Sequence, residues 1–312
     1  MPGGTSEDDC TFVSSRGLLK SCHFRSPNPR SSCGWDADYL RDLINNPSKQ
    51  FRGMRIYVCS ELLKFFVHNI LPNIYQDFIL LTGDSDLSMP VESLTPEDTN
   101  LLLTNSHLQY WGGQNLLKIS SPKQLQIPIG LDYHTIAADP KFAWRSAGEG
   151  HLSTDQEAIL KSLRSAASTW KNRKLAIYTN AQHRFDRFND RKAAIETISG
   201  NILHLEPHLI PRTDVWRKYT EYAFVLSPFG NGLDCHRTWE ALCCGAIPII
   251  RNPFLTSLFA DLPVLNVRDW SDVTPELLQK TIEEFSEKTF NYEKLTLKYW
   301  IDTLYDCASS PL

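Results

Sequence analysis

The stretch FVLSPFGNGLDCHRTWEALCCGAIPII, residues 224–250, decides how this chain is expected to fold. Phe224 to Leu226 reads as an apolar strand, Ser227 to Leu233 as a glycine-containing loop, Asp234 to Cys244 as a helix and Ala246 to Ile250 as a second strand. That order is the repeating unit of a parallel α/β sheet. Gly230 and Gly232 let the backbone turn tightly and let a ligand approach main-chain N–H groups. Asp234 suits the N-cap of the helix, which leaves the first turn pointed at the loop. Free N–H groups at a helix N-terminus attract phosphate, and Arg237 in that turn can add a bidentate, charge-assisted contact. Glu240 lies three residues on, roughly 4.5 Å further along the axis. From there a carboxylate can accept hydrogen bonds from two ribose hydroxyls. The plainer alternative is an ordinary βαβ unit in which Arg237 and Glu240 form a structural i,i+3 pair. The glycine loop, the helix start and the Gly-Ala-Ile-Pro exit occurring together favour the nucleotide site.

Working outward, the same alternation continues on both sides. In the first half, Cys10 to Val13 is expected as a short strand ending in the polar loop Ser14 to Gly17. Met54 to Cys59 and Phe78 to Leu81 are further strands, separated by a helix from Glu61 to Leu71 that Pro72 stops. Leu101 to Thr104 and Gln126 to Ile129 complete the sheet. In the second half, a helix from Asp155 to Trp170 leads to a strand over Lys174 to Tyr178. Next come a short strand near Ile202 to Leu205 and a helix over Thr213 to Tyr222. The linker is placed in the glycine-containing stretch Lys141 to Asp155. The division is a Rossmann-like domain over 1–145 and a second Rossmann-like domain, which carries the nucleotide site, over 150–290. Residues 291–312 form a C-terminal helix that crosses back to the first domain. Facing domains of this kind put the ligand where strand C-termini meet helix N-termini.

At 312 residues the chain is long enough for two such domains. A net charge of -4 argues against a nucleic-acid partner. No apolar run of membrane-spanning length occurs, and residues 1–9 have neither a basic nor an apolar segment of the secretory kind. The eight cysteines form no C-x-x-C pair, so buried thiols are favoured over a metal site or disulfides. No permitted N-x-S/T sequon is present. A cytoplasmic protein is the expectation.

The motif resembles the donor-binding segment of exostosin-like glycosyltransferases. The residues that carry the resemblance are Ser227-Pro228, the Gly-Asn-Gly loop, Arg237, Glu240-Ala241-Leu242 and Gly245-x-Ile247-Pro248. The fuller pattern Ser-Pro-x-Gly-x-Gly-x-Asp-Cys-His-Arg-Thr-Trp-Glu is similar to a branch found in algae and their large DNA viruses. Residues 13–22 and Gly83-Asp-Ser-Asp86 resemble that branch too. The resemblance implies a GT-B fold and an inverting transferase with no metal and no cofactor, UDP-sugar being a substrate. By that likeness Arg237 would hold the diphosphate and Glu240 the ribose. Ser227, Pro228, Gly230, Asn231, Gly232, Asp234 and His236 would surround the donor. UDP-xylose is the first choice, ahead of UDP-GlcNAc, UDP-glucuronic acid and UDP-galactose. The acceptor is expected to be a carbohydrate on a glycan or glycoprotein.

Inverting transfer needs one general base for the acceptor hydroxyl and positive charge or N–H dipoles for the leaving diphosphate. Asp84 and Asp86, after the apolar run Phe78 to Leu81, are the candidate bases, with Asp84 preferred. The alternative for both is an Asx turn or a cap. Arg184 and Arg191 are candidate phosphate contacts or a solvated helix face. Arg16, Gly17 and Lys20 form a candidate acceptor or phosphate loop. Asp132 and His134 are weaker candidates. Trp35, Trp111, Trp144, Trp216 and Tyr110 are candidates for an acceptor groove or for core. Two rivals are a metal-dependent GT-A transferase using Asp84-x-Asp86 and a non-catalytic binder of sugar nucleotides or glycans.

Overall fold

The computed structural model describes residues 7–27, 29, 36–117, 121–138, 152–181 and 186–309, without the side chains of 136–138 and 305–309. Among the described residues nine strands form two all-parallel sheets. The first holds β1 (Met54–Cys59), β2 (Phe78–Gly83), β3 (Leu108–Gly113) and β4 (Gln124–Gln126) in that order. The second holds β5 (Lys174–Thr179), β6 (Leu203–Leu205), β7 (Tyr222–Leu226), β8 (Ile247–Ile250) and β9 (Leu265–Asn266), ordered β6-β5-β7-β8-β9. The helices of the first half are α1 (Ser15–Lys20), α2 (Asp38–Asn45), α3 (Leu63–Phe65), α4 (Pro96–Thr104) and α5 (Tyr133–Ala138). Those that follow are α6 (Ser153–Ala166), α7 (Asp190–Thr197), α8 (Arg212–Glu221), α9 (His236–Cys243), α10 (Thr256–Phe259), α11 (Pro275–Ser286) and α12 (Leu297–Ser309). The architecture is α/β, with two Rossmann-like units facing across a cleft as in GT-B proteins. In the second sheet the order reverses between β5 and β7, and a ligand crevice belongs at the C-terminal ends of those two strands.

Strands buried on both faces read as continuous apolar runs, and β2, with Phe78 to Leu81 all buried, is such a strand. The layer between the sheets is one apolar cluster that includes Val13, Ile79 and Leu131 from the first half with Tyr178, Trp216 and Trp239 from the second. The outer faces are closed by two separate clusters. Helix α12 lies against β3, and a Cβ on Gly112 would come 3.2 Å from Leu304 Cδ2.

Three local expectations are corrected. Leu101 to Thr104 is the last turn of α4, not a strand. Thr95 accepts from the Asp98 N–H, Asp98 reaches back to the Thr95 N–H, and Pro96 takes the first helical position, so a capping box sets the helix. The strand is β3, whose apolar run is interrupted by Gln109, Gly112 and Gly113. The Glu61 to Leu71 segment is not one helix, since α3 passes into a π turn over Phe66–Ile70. Cys10 to Val13 makes only isolated bridges, with Phe12 opposite Thr296, and the polar stretch after it opens α1.

The start of α1 carries a pH-sensitive cap. The Ser14 hydroxyl accepts from the Gly17 N–H at 3.0 Å and donates to Glu7 Oε2 at 2.7 Å. Burial pushes the Glu7 carboxyl up to about 7, although the Ser14 bond and the Lys20 charge oppose this. A carboxyl whose folded-state pKa exceeds its ordinary 4.5 costs stability as pH rises through that interval. Glu7→Gln is therefore expected to match the native protein near pH 5 and to exceed it at pH 8 by on the order of 2 kcal/mol. Urea unfolding at both pH values checks this, and a difference that does not change with pH would contradict it.

Candidate functional site

Strand β7 delivers the chain to the crevice. The Ser227 N–H donates to Ile249 O at 2.8 Å, which carries the ladder one residue past the strand. The Ser227 hydroxyl lies 2.8 Å from that of Thr238 on α9, tying the loop's entrance to its exit. Midway, the Phe229 N–H donates to the Asp190 carboxylate at 2.9 Å, and Arg191 Nε donates to Phe229 O at 3.2 Å. The first two residues of α7 thus hold the loop. Its glycines answer to close approaches: a Cβ on Gly232 would come 2.9 Å from Asn115 Nδ2, and one on Gly230 would come 2.7 Å from Arg191 Nη2.

Helix α9 begins at the floor of the crevice. Its N-cap is Cys235, with no side-chain bond to the first turn, so the expected capping role of Asp234 is corrected. Asp234 is buried and bonded elsewhere, accepting from Trp239 Nε1 at 3.0 Å and from the Ile129 N–H at 2.8 Å. Its own N–H donates to Asn115 Oδ1 at 2.8 Å. Burial pushes its carboxyl up to about 6 against the pull of those bonds. The residue fastens the start of α9 to the first half of the molecule.

Arg237 and Glu240 both line the cavity above α9, which has a volume of about 470 Å³. Arg237 Nη1 is buried with no hydrogen-bond partner. Burial and the Arg237 charge both lower the pKa of Arg191 on the same wall. Two guanidinium groups that disfavour one another are a natural place for a polyanion. Glu240 is met by Arg212, the first residue of α8, with Arg212 Nε 3.4 Å from Glu240 Oε1. Arg212 also donates from Nη1 to Asp132 O at 2.7 Å, so one guanidinium spans from α9 to the first half. Sequence reading missed Arg212. The one signal was its position after Pro211, where a helix starts at a crevice edge.

Removing one partner of a buried charge pair strands the other. Arg212→Met is expected to lose about 2–4 kcal/mol of stability, part of which the double variant with Glu240→Gln recovers. Urea denaturation of both variants and of Glu240→Gln measures the coupling, and simple additivity would contradict the pairing.

A smaller cavity of about 240 Å³ opens beside the first and shares Asp86, Ile129, Asp132 and His236 with it. Asp84 lies here, at the end of β2 with φ of 60°. It is not an isolated carboxylate. Arg16 Nη1 sits 2.8 Å from Asp84 Oδ2, both side chains being buried. Burial lifts the Asp84 carboxyl to about 6, and Arg16 keeps it from going higher. Asp86 makes no hydrogen bond or ion pair among the described residues, and its Oδ1 lies 3.4 Å from where a Cβ on Gly232 would stand. His236 Nδ1 is 2.7 Å from Gly130 O. A carbonyl only accepts, so Nδ1 is the donor in this contact. Asp132 Oδ1 is 3.2 Å from His134 Nδ1. Burial pushes His134 down to about 4. Burial alone would raise Asp132, but the charges of the facing histidines and Arg212 outweigh it and hold its carboxyl below the usual range.

Other expected site residues fall differently. Gly230, Asn231 and Gly232 line the larger cavity, whereas Ser227 and Pro228 support the loop without lining it. Arg16 holds Asp84. Gly17 is packed inside α1, where a Cβ would come 3.1 Å from Leu297 Cδ2, and Lys20, in the last turn, lines neither cavity. Arg184, Trp35 and Trp144 lie outside the described residues. Trp111, Trp216 and Tyr110 are buried core and form no groove. Among the described residues no three His, Cys, Asp or Glu side chains are grouped to hold a metal ion, and no helix is long and apolar enough to cross a membrane.

No protein-family model matches the chain, and no curated protein sequence does either. Among solved structures, it is similar to the N-terminal domain of trehalose-6-phosphate phosphatase from Candida albicans. The identity is 12% and the TM-score 0.35, over 91% of this chain and 78% of that one. It is also similar to a structure of the GtfA/B complex, at 12% identity and a TM-score of 0.33, over 88% of this chain and 61% of that one. At such scores neither likeness bears on activity, and the fold rests on strand order and cleft geometry.

Proposed function

We propose that this chain is a GT-B glycosyltransferase that moves one sugar from a UDP-sugar to a carbohydrate acceptor with inversion, without a metal or other cofactor. The observation that carries this reading is the disposition of α9 at the sheet's switch point. Its uncapped first turn and the unpartnered Arg237 guanidinium point to a diphosphate, and Glu240, one turn on, matches a ribose. In the reaction, an acceptor hydroxyl oxygen forms the new bond to the anomeric carbon while the bond from that carbon to the diphosphate oxygen breaks. The acceptor's proton passes to a carboxylate, Asp84 or Asp86. Arg237, Arg191 and the open N–H groups of α9 steady the negative charge that develops on the diphosphate. Arg16 keeps the Asp84 carboxyl ionised at neutral pH, and Asp86 faces the donor loop. UDP-xylose remains the first choice of donor, on the resemblance of the motif alone.

The test is transfer itself. UDP-sugars are incubated with oligosaccharide acceptors in EDTA and, in parallel, with Mn²⁺, and UDP release is followed together with the acceptor's gain in mass. Turnover in EDTA is the expected result. Turnover only with Mn²⁺ would shift Asp84 and Asp86 to metal ligation, and UDP binding without turnover on any acceptor would favour a sugar-nucleotide binder.

A further inference from the structure

The two halves of the cleft differ in their cations. The larger cavity has Arg191, Arg212 and Arg237 on its walls, among Asp86, Asp132, Asp234 and Glu240. The smaller has Asp84, Asp86 and Asp132 and, among the described residues, no lysine, arginine or aromatic ring apart from His134 and His236. Among the described residues Arg16 and Arg212 are the arginines ion-paired with its carboxylates, Arg16 with Asp84 and Arg212 with Asp132 and also Glu240. A further polar group lines the smaller cavity without a partner: the Oγ of Ser15, a residue only 3% exposed.

We infer that the smaller cavity seats the sugar being transferred, and that it accepts a neutral, hydroxyl-rich pyranose and rejects a uronic acid. The inference rests on the UDP-sugar reading above. A nucleotide diphosphate in the arginine-lined cavity leads its sugar through the shared opening at Asp86 and His236. At about 240 Å³ the chamber has room for roughly eight waters at about 30 Å³ each, the scale of one sugar ring. Ionised carboxylates only accept hydrogen bonds, so they suit sugar hydroxyls, which donate. Ser15 can take or give one more. A sugar carboxylate would enter among three like charges with no free cation to answer it, and repulsion of that kind is how a site discriminates against a close analogue.

The experiment is calorimetric titration of the whole chain, in EDTA at pH 7.5, with UDP, UDP-glucose, UDP-galactose, UDP-xylose and UDP-glucuronic acid. At least one of the three neutral donors should bind no more weakly than UDP, and UDP-glucuronic acid at least tenfold more weakly than the best of them. Asp86→Asn, at the shared wall, should narrow that gap several-fold, the gap being read as the ratio of neutral-donor to glucuronate affinity within the same variant. If UDP binds and the glucuronate binds as well as the neutral donors, the inference is overturned and the nucleotide reading stands. A gap unchanged in both Asp86→Asn and Asp132→Asn would overturn the assignment to this cavity. Failure of UDP itself to bind would overturn the reading beneath it.

Discussion

Arg237→Ala is expected to weaken UDP binding by at least tenfold, about 1.4 kcal/mol or more, with little change in thermal stability. The asymmetry follows from the surroundings. In the free protein Arg237 Nη1 is buried without a hydrogen-bond partner, and burial and its charge both lower the pKa of Arg191. Truncation therefore removes a cation from a place that holds it at some cost and leaves no stranded carboxylate. With a diphosphate present the same guanidinium makes charge-assisted bonds in a desolvated cleft, each stronger than a neutral one. Arg237→Lys should recover only part of the affinity, because an ammonium cannot reproduce the planar fork. Unchanged UDP affinity in a folded Arg237→Ala protein would remove the diphosphate from α9.

The second large effect concerns the base. Of Asp84→Asn and Asp86→Asn, the one that removes the base is expected to lower the transfer rate by 10²-fold or more, in line with general-base contributions, and to leave UDP affinity nearly intact. A pH profile separates the two. If Asp84 is the base, the rate should fall below about pH 6, where its carboxyl takes up a proton. Arg16 favours the ionised form, so Arg16→Met should move that limb to higher pH. A limb that stays in place, together with loss of activity in Asp86→Asn, would assign the base to Asp86. Transfer that survives both substitutions would put the base elsewhere.

Much of the cavity's lining was legible in one dimension because a βαβ unit is local. The loop glycines, Arg237 and Glu240 lie within eleven consecutive residues, and helix periodicity alone puts the last two on one side of α9. What could not be read was long-range. Asp234 looks like an N-cap in sequence, yet its carboxylate is fixed by Trp239 and by the Ile129 N–H, 105 residues away. Arg16 and Asp84 are separated by 68 positions, and only the packing of α1 beside the end of β2 pairs them. Arg212 carries no motif and acquires its role by bridging Glu240 and Asp132. The Leu101 to Thr104 error has a different origin. A short leucine run fits strand and helix alike, and the deciding signal lay upstream in Thr95, Pro96 and Asp98.

The most direct test of the central claim is titration of the native chain with UDP in EDTA, followed by calorimetry, with GDP and uridine as controls. The account predicts one site per chain, with UDP bound at least tenfold more tightly than uridine, because the uncapped turn of α9 and Arg237 recognise the diphosphate. Equal affinity for UDP and uridine, or no UDP binding at millimolar concentration, would contradict it.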